Sequence, residues 1–322
     1  MAERIKSTTH KPKDYFCFLS SGENSYPALD ALIESLPEQI RTPVQAFKRN
    51  LRATALTATI PCQMAFASLW RRTFELNLLI EQMESSRNAH VRANEKLKRE
   101  MSSKRGRKRN VDYILHILSQ DLEREEARFA ARELIRQCSV QIWSAFEVFA
   151  SDIFESFLNA KPDLVRRLMQ NESIKKLFQL RGIPFEILTE YQFNLSSKMG
   201  SLLLEHSPID TIPSMKAVFG GILPNHKEVA AALSEKNLWL LFQRRHLIVH
   251  RRGIVDRRYL AATGEKLSLG TDLVVFPSEL QSYMETVLKA GSTIGLGVAF
   301  ELRKPSRGKW QVQIEFVLGP AT

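Results

Sequence analysis

Several features that would narrow the function of this protein are scarce or absent in its sequence. The chain of 322 residues has only three cysteines, Cys17, Cys62 and Cys138. An odd and widely spaced set builds neither a disulfide framework nor a zinc cluster, so we expect three reduced thiols. No stretch of about 18 uncharged apolar residues occurs, because acidic residues interrupt the best candidate, residues 142–158. A membrane-spanning helix is therefore not expected.

Targeting signals and internal repeats are missing as well. The first residues, MAERIKSTTHKPKDY, contain no apolar core, so we expect no secretory signal peptide and a cytoplasmic location. Apolar residues make up 44% of the chain and charged residues 25%, which is ordinary for a globular protein. This composition excludes disorder of the chain as a whole.

Positive charge is plentiful, and it is concentrated in two segments. Lysine and arginine together number 46 against 35 acidic residues, a formal net charge of +11. Residues 96–109 (KLKREMSSKRGRKR) hold eight basic residues and one acid, and residues 244–258 (RRHLIVHRRGIVDRR) hold six and one. The rest of the chain is close to neutral. Such clusters favour a polyanionic partner, and RNA is the partner that we expect.

The two basic segments differ in kind. The first has serines and a glycine among its charges and no aromatic residue, which predicts a basic loop, either a plain connection or a contact with the RNA backbone. The second interleaves its arginines with apolar residues, so it should pack against other parts of the fold. The candidate RNA-binding residues are Lys104, Arg105, Arg107, Lys108, Arg109, Arg244, Arg251 and Arg252.

Helical periodicity dominates the chain, with predicted helices over about residues 44–101, 111–159, 226–250 and 279–290. In the second of these, apolar residues at spacings of three and four form a stripe: Ile142, Phe146, Phe149, Ile153 and Phe157. Glu147 lies on the neighbouring stripe, which also carries Trp143 and Phe154. A carboxylate there needs a cationic partner, or else it must reach water from the edge of the core.

Strand signals are confined to the last third of the chain. Two short β-prone pieces flank a turn at Thr263-Gly264. Further on, residues 296–302 and 312–318 alternate between apolar and other residues, which favours a hairpin turned by residues 304–309. A continuous helix through residue 304 is the alternative, and the periodicity leaves the choice open.

The residues Arg245-His246-Leu247-Ile248-Val249-His250 carry the chemistry of the second basic segment. RNA cleavage without a metal needs a group that moves a proton to or from a ribose oxygen, and a histidine suits that task. It also needs a cation for the charge that develops on phosphorus, and a guanidinium suits that one. Five residues turn an ideal helix by about 140°, so Arg245 and His250 do not share a face, whereas His246 and His250 do.

The segment RRHLIVHRRGIVDRRY resembles the R-x4-6-H signature of the HEPN superfamily, which includes the RiboL-PSP-like ribonucleases. The upstream helix WSAFEVFASDIFESFL and the downstream helix SELQSYMETVLKAGSTIGLGVAFELRK are similar to the helices that flank this signature. The likeness covers residues 111–304, which would form a HEPN-like domain. Residues 1–110 would form a helical N-terminal region ending in the basic loop, and residues 305–322 a tail that includes a candidate strand.

The resemblance implies a mainly α fold, a helical bundle with a small β element near the C-terminus. It further implies that the protein is a metal-independent endoribonuclease that needs no cofactor. The same resemblance implies a homodimer with a composite active site. In this interpretation Arg245 stabilises the phosphate, His250 is the acid or base, and Glu147 orients Arg245. His246 stands where the family usually has asparagine or another polar residue. A toxin or antiviral-defence role, with an antitoxin or defence protein as partner, follows from the same resemblance.

Two other interpretations stay open at this point, and a third is excluded. Arg245 could pair with Glu147, and His250 could sit at a helix end, for structural reasons alone, in a non-catalytic dimeric module that binds RNA or protein. The spacing of His246 and His250 also suits zinc, although no third ligand is evident in the sequence. Gly291, Gly295 and Gly297 follow a helix, so they do not form a dinucleotide-binding loop.

Overall fold

The computed structural model describes residues 11–17, 19, 26–84, 87–178 and 185–303. The mainly α fold class predicted from the sequence is confirmed. The helices are α1 (Pro27–Ser35), α2 (Glu38–Met83), α3 (Ala89–Ser102), α4 (Lys104–Asp121), α5 (Glu125–Ala160), α6 (Leu164–Leu168), α7 (Glu172–Phe178), α8 (Phe185–Glu190), α9 (Met199–His206), α10 (Ile212–Ile222), α11 (Lys227–Ala232), α12 (Lys236–Arg251), α13 (Arg257–Thr263) and α14 (Pro277–Arg303). A 3-10 turn, Pro12–Asp14, precedes them. Within the described ranges, none of these helices has the length and apolar character that crossing a membrane requires.

The chain divides into two compact units that interleave in sequence. The first unit comprises the described residues of Met1–Ser20, Ala55–Cys138 and Val274–Gln281. The second unit comprises those of Ser21–Thr54, Ser139–Leu273 and Ser282–Thr322. The helices α2, α5 and α14 contribute residues to both units.

The core of the second unit is built around the aromatic stripe of α5. The predicted stripe residues Ile142, Phe146, Phe149, Ile153 and Phe157 are all buried, as is the neighbouring Trp143. Phe149 stacks on Phe47 of α2 with ring centroids 4.5 Å apart, and Trp143 lies 5.0 Å from Phe242 of α12. Each buried aromatic side chain removes a large apolar surface from water, so this stripe stabilises the unit strongly.

The first unit has a smaller core of its own. Its buried cluster consists of Tyr15, Phe16, Ala65, Leu69, Ile114, Leu118, Leu122 and Ala131. The three cysteines also lie in this unit, where all three are free thiols. Burial raises the pKa of Cys17 and of Cys138 to about 12 and the pKa of Cys62 to about 11. The thiols are therefore protonated at neutral pH and are poor nucleophiles.

The basic segment 96–109, which the sequence predicted to be a loop, is helical. The helices α3 and α4 are separated by the single residue Ser103, whose Oγ accepts a hydrogen bond from the backbone N–H of Gly106 at 2.9 Å and so caps α4. A Cβ at Gly106 would lie 1.6 Å from the carbonyl oxygen of Glu100, so only glycine lets the two helices approach this closely. Lysine and arginine are good helix formers, so the charged residues continue the helices on both sides. Serine and glycine favour loops, but here Ser103 and Gly106 form a tight turn between two helices.

The small β element predicted near the C-terminus is not seen in the described residues, which hold only an isolated antiparallel bridge between Ile254 and Asp272. One of the two β-prone pieces instead contains helix α13. Asp256 caps its start by accepting a hydrogen bond from the backbone N–H of Tyr259 at 2.8 Å. Gly264 ends it with a left-handed φ of 69°, so the predicted turn is a helix end.

The alternation in residues 296–302 belongs to a helix and not to a hairpin strand, since α14 continues to Arg303. Its glycines allow close packing within the second unit. A Cβ at Gly291 would lie 2.4 Å from the ring of Phe47, and one at Gly295 would lie 3.0 Å from Leu32. The predicted tail, residues 305–322, and the second half of the proposed hairpin lie outside the described residues.

The glycine contacts lead to a stability prediction. Gly291→Ala should destabilise the chain by about 1–3 kcal/mol, because the added methyl group meets the Phe47 ring. The matched control is Gly220→Ala near the end of α10, where an added Cβ meets nothing within 4 Å. That change should stabilise the chain by up to about 1 kcal/mol through helix propensity. Urea unfolding of both variants measures the difference, and equal effects of the two substitutions would contradict the packing that we describe.

Candidate active site

The candidate site lies at the C-terminal end of α12. Leu241, Arg244, Leu247 and Ile248 bury one side of this helix, whereas Val249 and His250 are exposed. The helix is regular through Arg251 and then ends abruptly, because Arg252 adopts a left-handed φ of 52°. The N–H of Gly253 donates a hydrogen bond to the carbonyl of Leu247 at 3.1 Å, which closes the last turn.

The predicted pairing of Glu147 with Arg245 is present. Oε2 of Glu147 on α5 lies 3.7 Å from Nη2 of Arg245, and the two side chains are about a quarter exposed, at 25% and 27%. Burial raises the pKa of Glu147, while the positive charge of Arg245 opposes this rise and the negative charge of Asp210 adds to it. At this distance Glu147 and Arg245 form an ion pair but no hydrogen bond.

Arg245 retains hydrogen-bonding capacity in this arrangement. Its Nε is buried and has no hydrogen-bond partner among the described residues. An N–H group that is removed from water without an acceptor is costly, so a movement of the partly exposed side chain that brought an acceptor oxygen to Nε would be favourable. Glu147 therefore orients Arg245 but leaves part of the hydrogen-bonding capacity of its guanidinium group unused.

His246 and His250 form a pair one turn apart, as their spacing predicts. Their ring centroids are 4.5 Å apart. Burial lowers the pKa of His246, and the nearby positive charges of His250, Arg258 and Arg245 lower it further, against a smaller opposing effect of Asp256. At neutral pH the ring of His246 is therefore mainly neutral, so one ring nitrogen can donate a hydrogen bond and the other can accept one.

Arg245 and His250 are not brought onto one face by the helix. Because α12 is continuous from Lys236 to Arg251, the rotation between them keeps its ideal value of about 140°. The structure thus assembles two pairs, Glu147 with Arg245 and His246 with His250. Arg245 is also near enough to His246 to affect its pKa.

Arg244 was predicted to bind RNA, but the structure shows that its side chain is not available for such a contact. Its side chain is only 5% exposed, and its Nη2 donates to Oε1 of Glu265 at 2.8 Å. Its Nε donates to the hydroxyl of Tyr259 at 3.2 Å, and its guanidinium lies 5.8 Å from the ring centroid of Tyr283. Arg244 therefore ties α12 to α13 and α14 within the second unit.

The other predicted RNA-binding residues are exposed. Arg252 is exposed at the end of α12, and Arg251 lies 3.6 Å from Asp256 in a surface ion pair. On α4 the exposed side chains are Lys104, Arg105, Lys108, Arg107 and Arg109. These belong to the first unit. Lys104, Arg105 and Lys108 lie on the side of α4 away from its buried residues. Arg107 and Arg109 flank the buried side, and Nη2 of Arg109 lies 3.5 Å from Oε2 of Glu100 on α3.

Three residues near the site were not singled out in the sequence. Arg258 and Asp256 act on the pKa of His246, and Asp210 acts on the pKa of Glu147. Arg258 lies in the basic segment, but its distance from His246 depends on the turn between α12 and α13, which residue spacing does not reveal. In the part of the chain that the structure describes, no group of three or more His, Cys, Asp or Glu side chains is arranged to hold a metal ion.

The lowered pKa of His246 makes stability depend on pH. The unfolded chain has an ordinary histidine pKa near 6.5, so below that pH the unfolded state binds the proton more readily than the folded state. Stability contributed through His246 is thus lost as pH falls below about 6.5 and towards the lower pKa of the folded state. We expect the wild-type chain to lose stability relative to His246→Gln over this range in urea unfolding. Parallel losses in both proteins would show that His246 does not contribute.

Comparison of the chain with models of known protein families, with curated proteins and with solved structures found no match. The HEPN resemblance accordingly stays a prediction, which rests on the motif from Arg245 to His250 and on the helices around it.

Proposed function

We propose that the chain is a metal-independent endoribonuclease of the HEPN type. The ribose 2′-hydroxyl attacks the adjacent phosphorus atom, and the bond from phosphorus to the 5′-oxygen breaks. One proton leaves the 2′-oxygen and one reaches the 5′-oxygen, so the products are a 2′,3′-cyclic phosphate and a free 5′-hydroxyl. The reaction consumes no water and needs no cofactor.

The observation that carries this proposal is the placement of Arg245 beside the His246–His250 pair. Arg245 is oriented by Glu147 at 3.7 Å and still has a buried Nε without a partner among the described residues. Its permanent charge suits the negative charge that develops on the phosphate oxygens. The exposed imidazole of His250 takes or supplies the proton, and His246, one turn away, hydrogen-bonds the phosphate.

A homodimer with a composite site accounts for the geometry of α12. Because Arg245 and His250 are about 140° apart on a regular helix, one copy presents them in different directions. Two copies that face each other across a cleft would let Arg245 of one act with His250 of the other. A role as a toxin or antiviral-defence effector, controlled by an antitoxin or another defence protein, is the role that the resemblance favours.

Cleavage of RNA tests the proposal directly. We expect the purified chain to cut RNA in the presence of EDTA and to leave cyclic phosphate ends. His250→Ala should lower the rate by about 10²–10⁴-fold, as expected for loss of an acid or base, and Arg245→Ala by about 10²–10³-fold. Val249→Ala changes an exposed neighbour on α12 and serves as the control, with an unchanged rate. The measurements are gel assays and mapping of RNA ends.

Two results would contradict the mechanism. One is cleavage that EDTA abolishes and His250→Ala preserves. The other is RNA binding without cleavage, equal in wild type and His250→Ala and weakened by salt. That second result would identify the non-catalytic binding module, which the array of exposed cations on α4 also supports.

Mixing two inactive variants tests the composite site. A heterodimer of Arg245→Ala and His250→Ala subunits contains one site that keeps both Arg245 and His250, if these residues come from different copies. We therefore expect activity to return to about a quarter of the wild-type rate on mixing, since about half of the dimers are mixed and each has one of two sites intact. If the mixture stays as inactive as its components while sedimentation shows subunit exchange, each site is built from one copy.

A further inference from the structure

A groove in the first unit lies between α2 and α3, and it is separate from the residues of the proposed active site. Its volume is about 570 Å³. The lining side chains are Trp70, Arg71, Phe74, His90, Val91 and Asn94. Three of these six carry aromatic rings, and Arg71 and Asn94 add polar side chains that donate hydrogen bonds. Neither the RNA chemistry proposed for α12 nor the core of the first unit uses them.

The aromatic rings are arranged in a row. Phe66, Trp70 and Phe74 are four residues apart on α2, so they lie on one side of the helix over about 12 Å of its length. The ring centroids of Phe66 and Trp70 are 6.0 Å apart, and those of Phe74 and His90 are 6.1 Å apart. Trp70 is 37% exposed and Phe66 41% exposed. A core stripe would be buried, whereas these rings present part of their surface to solvent.

The charge around the groove is positive. From Ala89 to Arg109 the chain carries nine basic and two acidic residues, and α3 leads directly into the cations of α4. Lys98 is exposed and lies one turn beyond Asn94 on α3, which extends the polar side of the groove. Arg71 pairs with Glu75 at 2.9 Å, but both side chains are largely exposed, and such surface pairs are weak.

This combination fits unpaired nucleic-acid bases better than an apolar protein segment. Single-stranded nucleic acid is bound by aromatic rings that stack on bases, together with basic side chains that follow the backbone. A duplex hides the faces of its bases, so it could not use these rings. A helix of a protein partner would instead suit the exposed aliphatic stripe further along α2, which comprises Leu76, Leu79, Ile80 and Met83.

We propose that the groove between α2 and α3 binds single-stranded RNA through its bases. Trp70 and Phe74 stack on successive bases, Asn94 hydrogen-bonds a base edge, and Arg71 and the basic helices α3 and α4 hold the phosphates. This inference rests on the proposed function for the choice of RNA, and it names the substrate class as unpaired RNA.

Binding of a defined RNA to the full chain tests the groove independently of cleavage. The probe is a fluorescein-labelled oligouridine of 12 nucleotides, measured by anisotropy against the His250→Ala chain so that it is not cut. Trp70→Ala combined with Phe74→Ala should weaken binding by about 10-fold or more, because stacking contributes substantially per base. Leu76→Ala combined with Leu79→Ala removes exposed apolar surface of α2 outside the groove, and it should leave the affinity unchanged.

A conservative variant separates stacking from folding. Trp70→Phe keeps an aromatic ring and should retain most of the affinity for oligouridine, whereas Trp70→Ala should lose it. This difference between the two single variants supports stacking even if the double variant is poorly folded. A duplex RNA of equal length should bind more weakly than oligouridine in the wild-type groove, and the double variant should reduce that preference.

Three outcomes would overturn the inference. They are an unchanged affinity in a well-folded double variant, an equal loss in the leucine control, and tighter binding of duplex than of single strand. Unchanged RNA affinity together with altered sedimentation would identify the groove as a protein interface. Failure of the proposed function looks different, since the wild-type chain would then bind oligouridine through Trp70 and Phe74 but cut no RNA.

Discussion

The aromatic face of α5 fixes the geometry on which the candidate site depends. Phe146 and Phe149 on this face are completely buried, and the helical repeat then determines where every neighbouring side chain points. Glu147 falls at the edge of the buried face, one turn from Trp143, where a negative charge needs a cation nearby. A rotation of α5 by one residue, about 100°, would carry Glu147 away from α12. Arg245 is thus positioned by packing as much as by charge.

The sequence was sufficient for this part of the molecule because the information is local. The stripe from Ile142 to Phe157 on α5 and the face shared by His246 and His250 on α12 each follow from spacings within a single helix. Spacing also indicates that Glu147 needs a cation or a path to water, but it does not identify Arg245 as the partner. The end of α14 could not be predicted in the same way, since residues 296–302 fit a strand and a helix about equally well. In the structure this end of α14 packs against residues far away in the sequence, with Gly295 close to Leu32 and Gly297 close to Leu223, and spacing within the segment does not reveal such contacts.

Two neighbouring arginines show that residue type alone does not predict whether a side chain is structural or belongs to the candidate site. Arg244 and Arg245 are adjacent and identical in chemistry, yet one is buried against Glu265 and Tyr259 and the other faces the candidate site. A step of one residue turns the helix by about 100°, so the two side chains meet different surroundings. Glu265 follows α13, and its position was not predictable because α13 itself had been interpreted as part of a β-prone piece.

The one-residue connection at Ser103 means that the cations of α4 repel one another in a fixed arrangement. A flexible loop would let them move apart, but α4 holds Lys104, Arg105, Arg107 and Lys108 within two turns at its amino-terminal end. That end carries the positive pole of the helix dipole, and no acidic residue lies in the first turn to offset it. The free protein therefore holds electrostatic free energy in this pair of helices. A bound polyanion would release it, so the stability of the first unit and its affinity for such a partner are linked quantities.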